Sequence, residues 1–482
     1  MNNNIQKISV IEKIGYSLGD LAANLIFQTL MTFLAFFYTD VYKIPPASAS
    51  AIIFSGGMIG AFFNPIMGAI ADRTQTRWGK FRPWILWTSI PFGVMALLAF
   101  STPQFSPGGK IAYAMITYVL LVLVYSANNL PYSALSGVIT GDMGERNSIS
   151  SFRFVAVMIA QFTVQGLLLP LVLIFGDGDK AAGFENVMGV FAVVGVIFLL
   201  ITFFTTKERI VPTQDQKSTL KEDLGDLFKN KPWIAMLLLT ILIFVTLALK
   251  GGMYIYYFDN YLDENALSLF LNRLGFVDLI EYLKISFTGF DWPEDPVTSA
   301  FSLFNAGGII FMIVGIGFSK PLADKFGKRD VFVVALIIST LCVLAFWFFP
   351  VNMIGVVFIA QILHGFFYGI TIPLLWAMIA DVADYSEWKN NRRATAIIFS
   401  AMIFGLKAGL SIGGALVAGV LATYGYNEQL TIQSPETVNG IKLSVSVYPS
   451  LTFLAGAACL LFYEINKKME VQIEQALKAR RQ

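Results

Sequence analysis

The sequence predicts an all-α membrane protein: twelve transmembrane helices in two six-helix bundles related by a pseudo-twofold axis. Three observations carry that prediction. Apolar stretches of membrane-spanning length recur along the whole chain, lysine and arginine gather in alternate loops, and two motifs of the first half are echoed in the second.

Charged residues make up 14% of the 482 residues and hydrophobic ones 56%, with 43 Phe; a soluble domain carries about 25% charged residues. About 20 apolar residues in a helix cross a bilayer core of about 30 Å. The expected spans are 11–41, 47–71, 83–101, 111–138, 149–175, 187–205, 232–261, 297–319, 330–349, 354–382, 395–422 and 447–466. Several exceed that length, which allows tilt or projection beyond the lipid. Pro65, Pro131, Pro170 and Pro373 fall inside spans, where neighbouring helices satisfy the freed backbone groups. A net charge of +2, with cations confined to short loops, offers no basic face for nucleic acid. Cys342 and Cys459 both lie in apolar stretches, so neither a disulfide framework nor a zinc spacing is expected. The opening MNNNIQKISVIEKIGYSL has no short apolar core with a cleavage site, which makes the first span the expected insertion signal.

Orientation follows from the cations. Lys43, Lys110, Lys180, Arg273, Lys284 and Lys442 fall in one set of loops, and Arg153, Lys250 and Lys407 lie within spans. All other Lys and Arg fall on the opposite side, including those of the tail KKMEVQIEQALKARRQ, so both termini are expected to be cytoplasmic. The loop after the second span, with Arg73, Arg77, Lys80 and Arg82, is held inside by its charge. Trp84 and Trp87 after it, and YIYYFDNY at 254–261, fit interfacial belts. The largest outside loop contains ALSLFLNRLGFVDLIEYLKIS, apolar at helical spacing, and a short amphipathic helix is expected there.

GAIADRTQTRWGKFRP between spans two and three is answered by KPLADKFGKRDV between spans eight and nine. NLPYSALSGVITGDMGERN is answered by TIPLLWAMIADVADYSEWKN, with Pro131, Asp142 and Glu145 matching Pro373, Asp384 and Glu387. Same-orientation repeats of six spans imply an axis along the membrane normal and a midplane site, which argues for a transporter. The expected parts are a bundle at 1–205, a cytoplasmic linker at 206–231, a second bundle at 232–466 with an outer insert at 262–296, and a tail at 467–482.

An ionisable group at the bilayer centre costs at least about 2.5–3.5 kcal/mol on insertion scales, so each is a functional candidate. Asp20, in GYSLGDLAANL, is the deepest acid; Lys407 in FGLKAGLSIGGA, Lys250 in LALKGGMY and Arg153 in SSFRF are the cations. For each, a structural ion pair or snorkelling is the alternative. His364, the one histidine, reads as a hydrogen-bonded packing residue. One histidine supplies neither a hydrolytic triad, nor a histidine-rich metal site, nor haem ligation, so no enzyme, metal or cofactor is expected. Asp381 and Asp384 close the tenth span and are expected, with Asp72, Arg73 and Arg77, to form a cytoplasmic gate.

At FFYTDVYKI, NPIMGAIADRTQTRWGKFRPW, NNLPYSAL, SSFRF and ADVADYSEWKNNRRAT the chain resembles the glycoside–pentoside–hexuronide:cation symporter family of the major facilitator superfamily, over nearly its whole length. The resemblance implies that fold and makes Asp20 an acceptor of sugar hydroxyls. Arg153 would lie close by, Asn129 would stand where the family often has a sugar-binding aspartate, and Tyr125 would lie one turn earlier. Lys407 would link the cation and sugar regions. Chemically, a carboxylate accepts two hydroxyl hydrogens, a guanidinium donates to sugar oxygens, and Tyr125 or Trp376 covers the apolar sugar face. In sodium-using relatives the second span carries a DxxxD pair. Here those places hold Gly60 and Asn64, and Ser126 offers only a hydroxyl, so sodium is the less expected ion.

The expected function is a secondary transporter of a sugar, glycoside or hexuronide in the bacterial cytoplasmic (inner) membrane, working by alternating access. It is expected to couple to protons through Asp20 and Lys407 and to act as a monomer in lipid. Uncoupled uniport, exchange, or a non-sugar amphipathic solute on the same fold are the alternatives.

Overall fold

The structure is a computed structural model and describes residues 7–140, 143–209, 230–286, 291–390 and 395–481. Apart from one isolated bridge, Thr76 to Gly79, the regular elements among these residues are helices. Their contacts divide the chain into two units, Met1–Asp215 with Ile280–Ser302, and Gln216–Leu279 with Leu303–Gln482.

In the first unit, Ser9 caps the opening helix, accepting from Glu12 N at 3.2 Å, and the helix runs from Val10 to Phe36. It continues through one widened turn, Phe37–Val41. Pro46–Arg73, Arg82–Ala99 and Pro107–Ile139 follow, each with Pro at or next to its first position, where the missing N–H is of no consequence. The fifth span is Met143–Phe162, a widened turn Thr163–Leu167, and Leu168–Phe175. The widened turn contains Gly166, four residues before Pro170, so the carbonyl that the proline ring would strike is moved aside. The sixth helix starts at Lys180, earlier than expected, because Asp179 accepts from Ala181 N at 2.8 Å and opens a turn whose Lys180 and Glu185 disguised it.

The second unit contains Lys231–Asn260, Pro296–Phe326 from Leu303 onward, Lys328–Ala345, Ile354–Asn390 and Thr395–Thr423. Its last span begins at Pro435, not near 447: Ser434 caps Pro435–Val445, and the chain breaks at Ser446 before Val447–Cys459. Lys442 is therefore helical rather than in a loop. The insert holds two short helices where one was expected, Glu264–Arg273 and Phe276–Ser286, parted at Gly275 with φ +73. The tail forms a further helix, Lys467–Arg481, which buries Ile473 and Leu477 in this unit's core.

Eleven helices among the described residues are long and apolar enough to cross a membrane. The remaining expected span, the third, is Arg82–Ala99, an 18-residue helix with Arg82 and Pro83 at its start; its length, about 27 Å, falls slightly short of a bilayer core of about 30 Å.

Candidate functional site

Asp20 sits ten residues into the first helix and is 6% exposed. The fifth span supplies its partner: Arg153 Nε donates to Asp20 Oδ2 at 2.8 Å. Asn24, one turn on, donates to the Asp20 carbonyl at 2.8 Å and lies 3.4 Å from Oδ1. On the other side of the guanidinium stand Tyr16 and Tyr132, with ring centres 5.6 and 5.4 Å from Arg153 Cζ. These two rings stack at 4.6 Å, and each phenol donates to the other residue's backbone carbonyl, at 2.9 and 2.7 Å. Gly19 makes room, since a Cβ there would strike the Tyr132 ring.

The result is a charge-balanced pair rather than an isolated buried ion, which is how such charges persist in a low-dielectric interior. Among the described residues, the guanidinium N–H groups other than Nε–H have no hydrogen-bond partner. Chemically the site therefore offers acceptor oxygens on Asp20 and several charge-assisted donors on Arg153, against aromatic faces. That combination suits a polyhydroxylated solute.

Tyr125 is half-buried, stacked on Phe27 at 5.6 Å, tilted on Phe92 at 6.1 Å, and within electrostatic reach of Asp20. Asn129 follows one turn later on the same helix, and neighbouring Asn128 is spent on Thr88 Oγ1 at 2.7 Å. The first unit thus brings Arg153 onto Asp20 with Tyr125 in electrostatic reach, and carries Asn129 on the Tyr125 helix. Trp376 and Lys407 lie in the second unit, Trp376 exposed and Lys407 in a helix packed through Gly409 on the Ile241 carbonyl.

At the second-span positions, Gly60 is packed so closely on Val122 that any side chain would collide with it. Asn64 and Ser126, each one turn further along their helices, are buried. Among the described residues no group of three acids, histidines or cysteines is placed to hold a metal ion.

The expected gate residues divide. Arg73 and Arg77 are exposed, Arg77 lying on the Trp78 ring at 4.6 Å, and the Asp72 side chain is outside the described part of the chain. Asp381 receives Lys328 Nζ on both oxygens at 2.6 Å, and Lys328 also lies 3.7 Å from Glu470 of the tail helix. Asp384 is half-buried.

Sequence reasoning missed Tyr16, Tyr132, Asn24 and Glu208. The Glu208 carboxylate accepts from the backbone N–H groups of Lys80, Phe81 and Arg82 at 2.8, 2.7 and 2.9 Å. These face the start of helix Arg82–Ala99, a natural anion seat. Gly79, at φ +111, leaves the space that the carboxylate fills. Nearby, buried Glu12 pairs with Arg209 through two bonds at 2.7 and 2.8 Å; contact with the buried carboxylate pushes the Arg209 pKa up. Glu208→Ala strips three partly buried backbone donors at once, and the cost of an unsatisfied buried donor, about 1–3 kcal/mol, is an upper bound for each. A clear fall in melting temperature of the purified protein is expected; an unchanged value would show the cradle to be dispensable.

The comparisons agree with this architecture. The profile of the MFS/sugar transport protein family matches residues 15–289 and 297–467. The inner membrane symporter YicJ of Escherichia coli K12 is 35% identical over 93% of this chain and 90% of its own length. The putative glycoside/cation symporter YagG of the same strain is 34% identical over 98% and 96%. The isoprimeverose transporter of Lactiplantibacillus pentosus is 30% identical over 96% and 91%. Among solved structures, the nucleoside transporter NupG aligns with a TM-score of 0.59 at 15% identity over 92% of this chain and 99% of that one. A bacterial homolog of the lysosomal transporter Spinster gives 0.62 at 13% over 98% of both. These last two likenesses speak for the fold alone. With membrane-spanning helices throughout and a family match along almost its whole length, the chain belongs to the MFS/sugar transport protein family, the glycoside–pentoside–hexuronide symporters of the major facilitator superfamily, and is a multi-pass membrane transporter, not an enzyme.

Proposed function

We propose that the protein carries a sugar, glycoside or hexuronide across the bacterial inner membrane by alternating access, with both termini cytoplasmic and protons as the coupling ion. One observation carries this reading: a membrane-buried carboxylate paired with a guanidinium that has donors to spare, beside stacked tyrosines. Solute hydroxyls donate to Asp20 and solute oxygens accept from Arg153, with Tyr125 and Asn129 completing the first unit's contacts. In the second unit, Trp376 and Lys407 are the proposed solute-binding side chains. Asp72, Arg73, Arg77, Asp381 and Asp384 are proposed as cytoplasmic gate residues. The glycoside and isoprimeverose named for two relatives favour a carbohydrate solute.

Protons are favoured over sodium because Gly60, Asn64 and Ser126 provide no carboxylate. A proton arriving on Asp20 takes the place of the Arg153 N–H donor, which frees the guanidinium for solute; its departure restores the pair. A second reading, uncoupled exchange, draws on the same pair, which is already charge-balanced without a proton. Uptake of a labelled glycoside into proteoliposomes with an alkaline interior separates the two. Accumulation above equilibrium is expected, with its loss in Asp20→Asn. Accumulation that survives this change removes Asp20 from coupling, and wild-type uptake indifferent to the gradient establishes exchange or uniport.

A further inference from the structure

Lys250 presents a problem that the sugar site does not solve. It lies in helix Lys231–Asn260, ten residues before its end, and is 7% exposed. That position is about 15 Å short of the helix terminus, and the side chain is buried there rather than extended into solvent. Its resolved contact is with the Tyr254 ring, 5.2 Å from the ammonium nitrogen. Among the described residues no carboxylate lies within ion-pair distance of it.

The groups around it are polar and directed. Tyr254, one turn along the same helix, donates its hydroxyl to Gln361 Oε1 at 3.3 Å. His364 follows Gln361 by three residues on helix Ile354–Asn390, 2% exposed and within electrostatic reach of Lys250. Its Nδ1 is held by Ser339 Oγ at 2.8 Å, and its Nε2 has no partner among the described residues. Lys250, Tyr254, Gln361 and His364 are each more than nine-tenths buried. The cluster supplies a positive charge, amide and imidazole nitrogens, and no anion.

A buried cation without an acid needs its counter-charge from elsewhere. The geometry points to a subsite in the second unit, centred on Lys250 and flanked by His364 and Gln361, that binds a carboxylate carried by the transported solute. This inference rests on the carbohydrate reading above and narrows it to acidic members of that class. A carboxylate entering this cluster takes the Lys250 ammonium as a charge-assisted donor, while a neutral hydroxymethyl group leaves the ammonium uncompensated.

The probes are p-nitrophenyl glucoside and p-nitrophenyl glucuronide, which differ only in hydroxymethyl against carboxylate at one carbon. Equilibrium competition on the purified full-length protein is expected to show the acid bound at least tenfold more tightly. In Lys250→Gln the ratio of the two affinities is expected to fall toward one. A ratio is used because partial misfolding of the variant scales both affinities alike, and the wild-type ratio stands even if the variant does not fold. If the glucoside binds as well as the glucuronide, the subsite is refuted while carbohydrate transport stands. If neither binds, both readings fall. Should chloride, exchanged for a bulky buffer anion, prove necessary for glucoside binding while the glucuronide gains nothing, the anion of Lys250 is inorganic and the solute-carboxylate proposal is overturned.

Discussion

Arg153→Met is expected to lower stability by about 3–5 kcal/mol, because it leaves Asp20 buried without its cation. The double variant Asp20→Asn, Arg153→Met removes both charges and should recover much of that loss. Both variants should fail in transport. Stability read from thermal or chemical denaturation of purified protein then separates two roles of the pair. If the charges serve only to hold the first and fifth helices together, the double variant regains uptake along with its stability. If they contact solute, stability returns and uptake does not. Loss of two charge-assisted bonds to solute, each worth about 1.5–3 kcal/mol, corresponds to at least a hundredfold weaker binding at about 1.4 kcal/mol per tenfold. A single variant as stable as the parent would show that Asp20 finds another partner. Arg153→Lys keeps the charge and loses the planar fork; it should hold stability better than binding.

The second large effect is expected at Lys328. Its ammonium bridges Asp381, through both oxygens at 2.6 Å, and Glu470 of the tail helix at 3.7 Å. Lys467 nearby donates to the carbonyl of Asp324 at 2.7 Å, and Tyr463 donates to that of Met378 at 3.3 Å. Lys328→Met places two half-buried carboxylates together with no cation between them. The loss is expected at about 1.5–3 kcal/mol, the range for hydrogen bonds to charged groups. The tail helix should loosen first, so limited proteolysis of the variant is expected to cut within 467–481 sooner than in the parent. Equal cleavage rates would show that Ile473 and Leu477 alone hold the helix down.

How much of this was legible in the sequence depended on whether the cause was local. Apolar stretches mark the spans because each is a run of neighbours in the chain, and Asp20 and Arg153 stood out because charge is rare in such runs. Tyr16 and Tyr132 are part of the same site, but with 18 Tyr and 43 Phe in the chain no pattern singles them out. Their pairing is a fact of packing across 116 residues. Glu208 is a plain acid in a polar stretch, and only folding brings it to three amides more than 120 residues away. The early starts at Lys180 and Pro435 were written in caps, Asp179 and Ser434, which an apolar window passes over. Lys250 was visible as a charge in a span, but that no carboxylate among the described residues pairs with it is a property of the assembled helices.

The paired phenol–carbonyl bonds between Tyr16 and Tyr132 act as a rivet between the first and fourth helices. The helix bearing Asp20 and the one bearing Asn129 cannot slip past each other by a turn without breaking both. Parting Asp20 from Arg153 by moving the fifth span alone leaves that rivet whole, since neither of its bonds involves the fifth span.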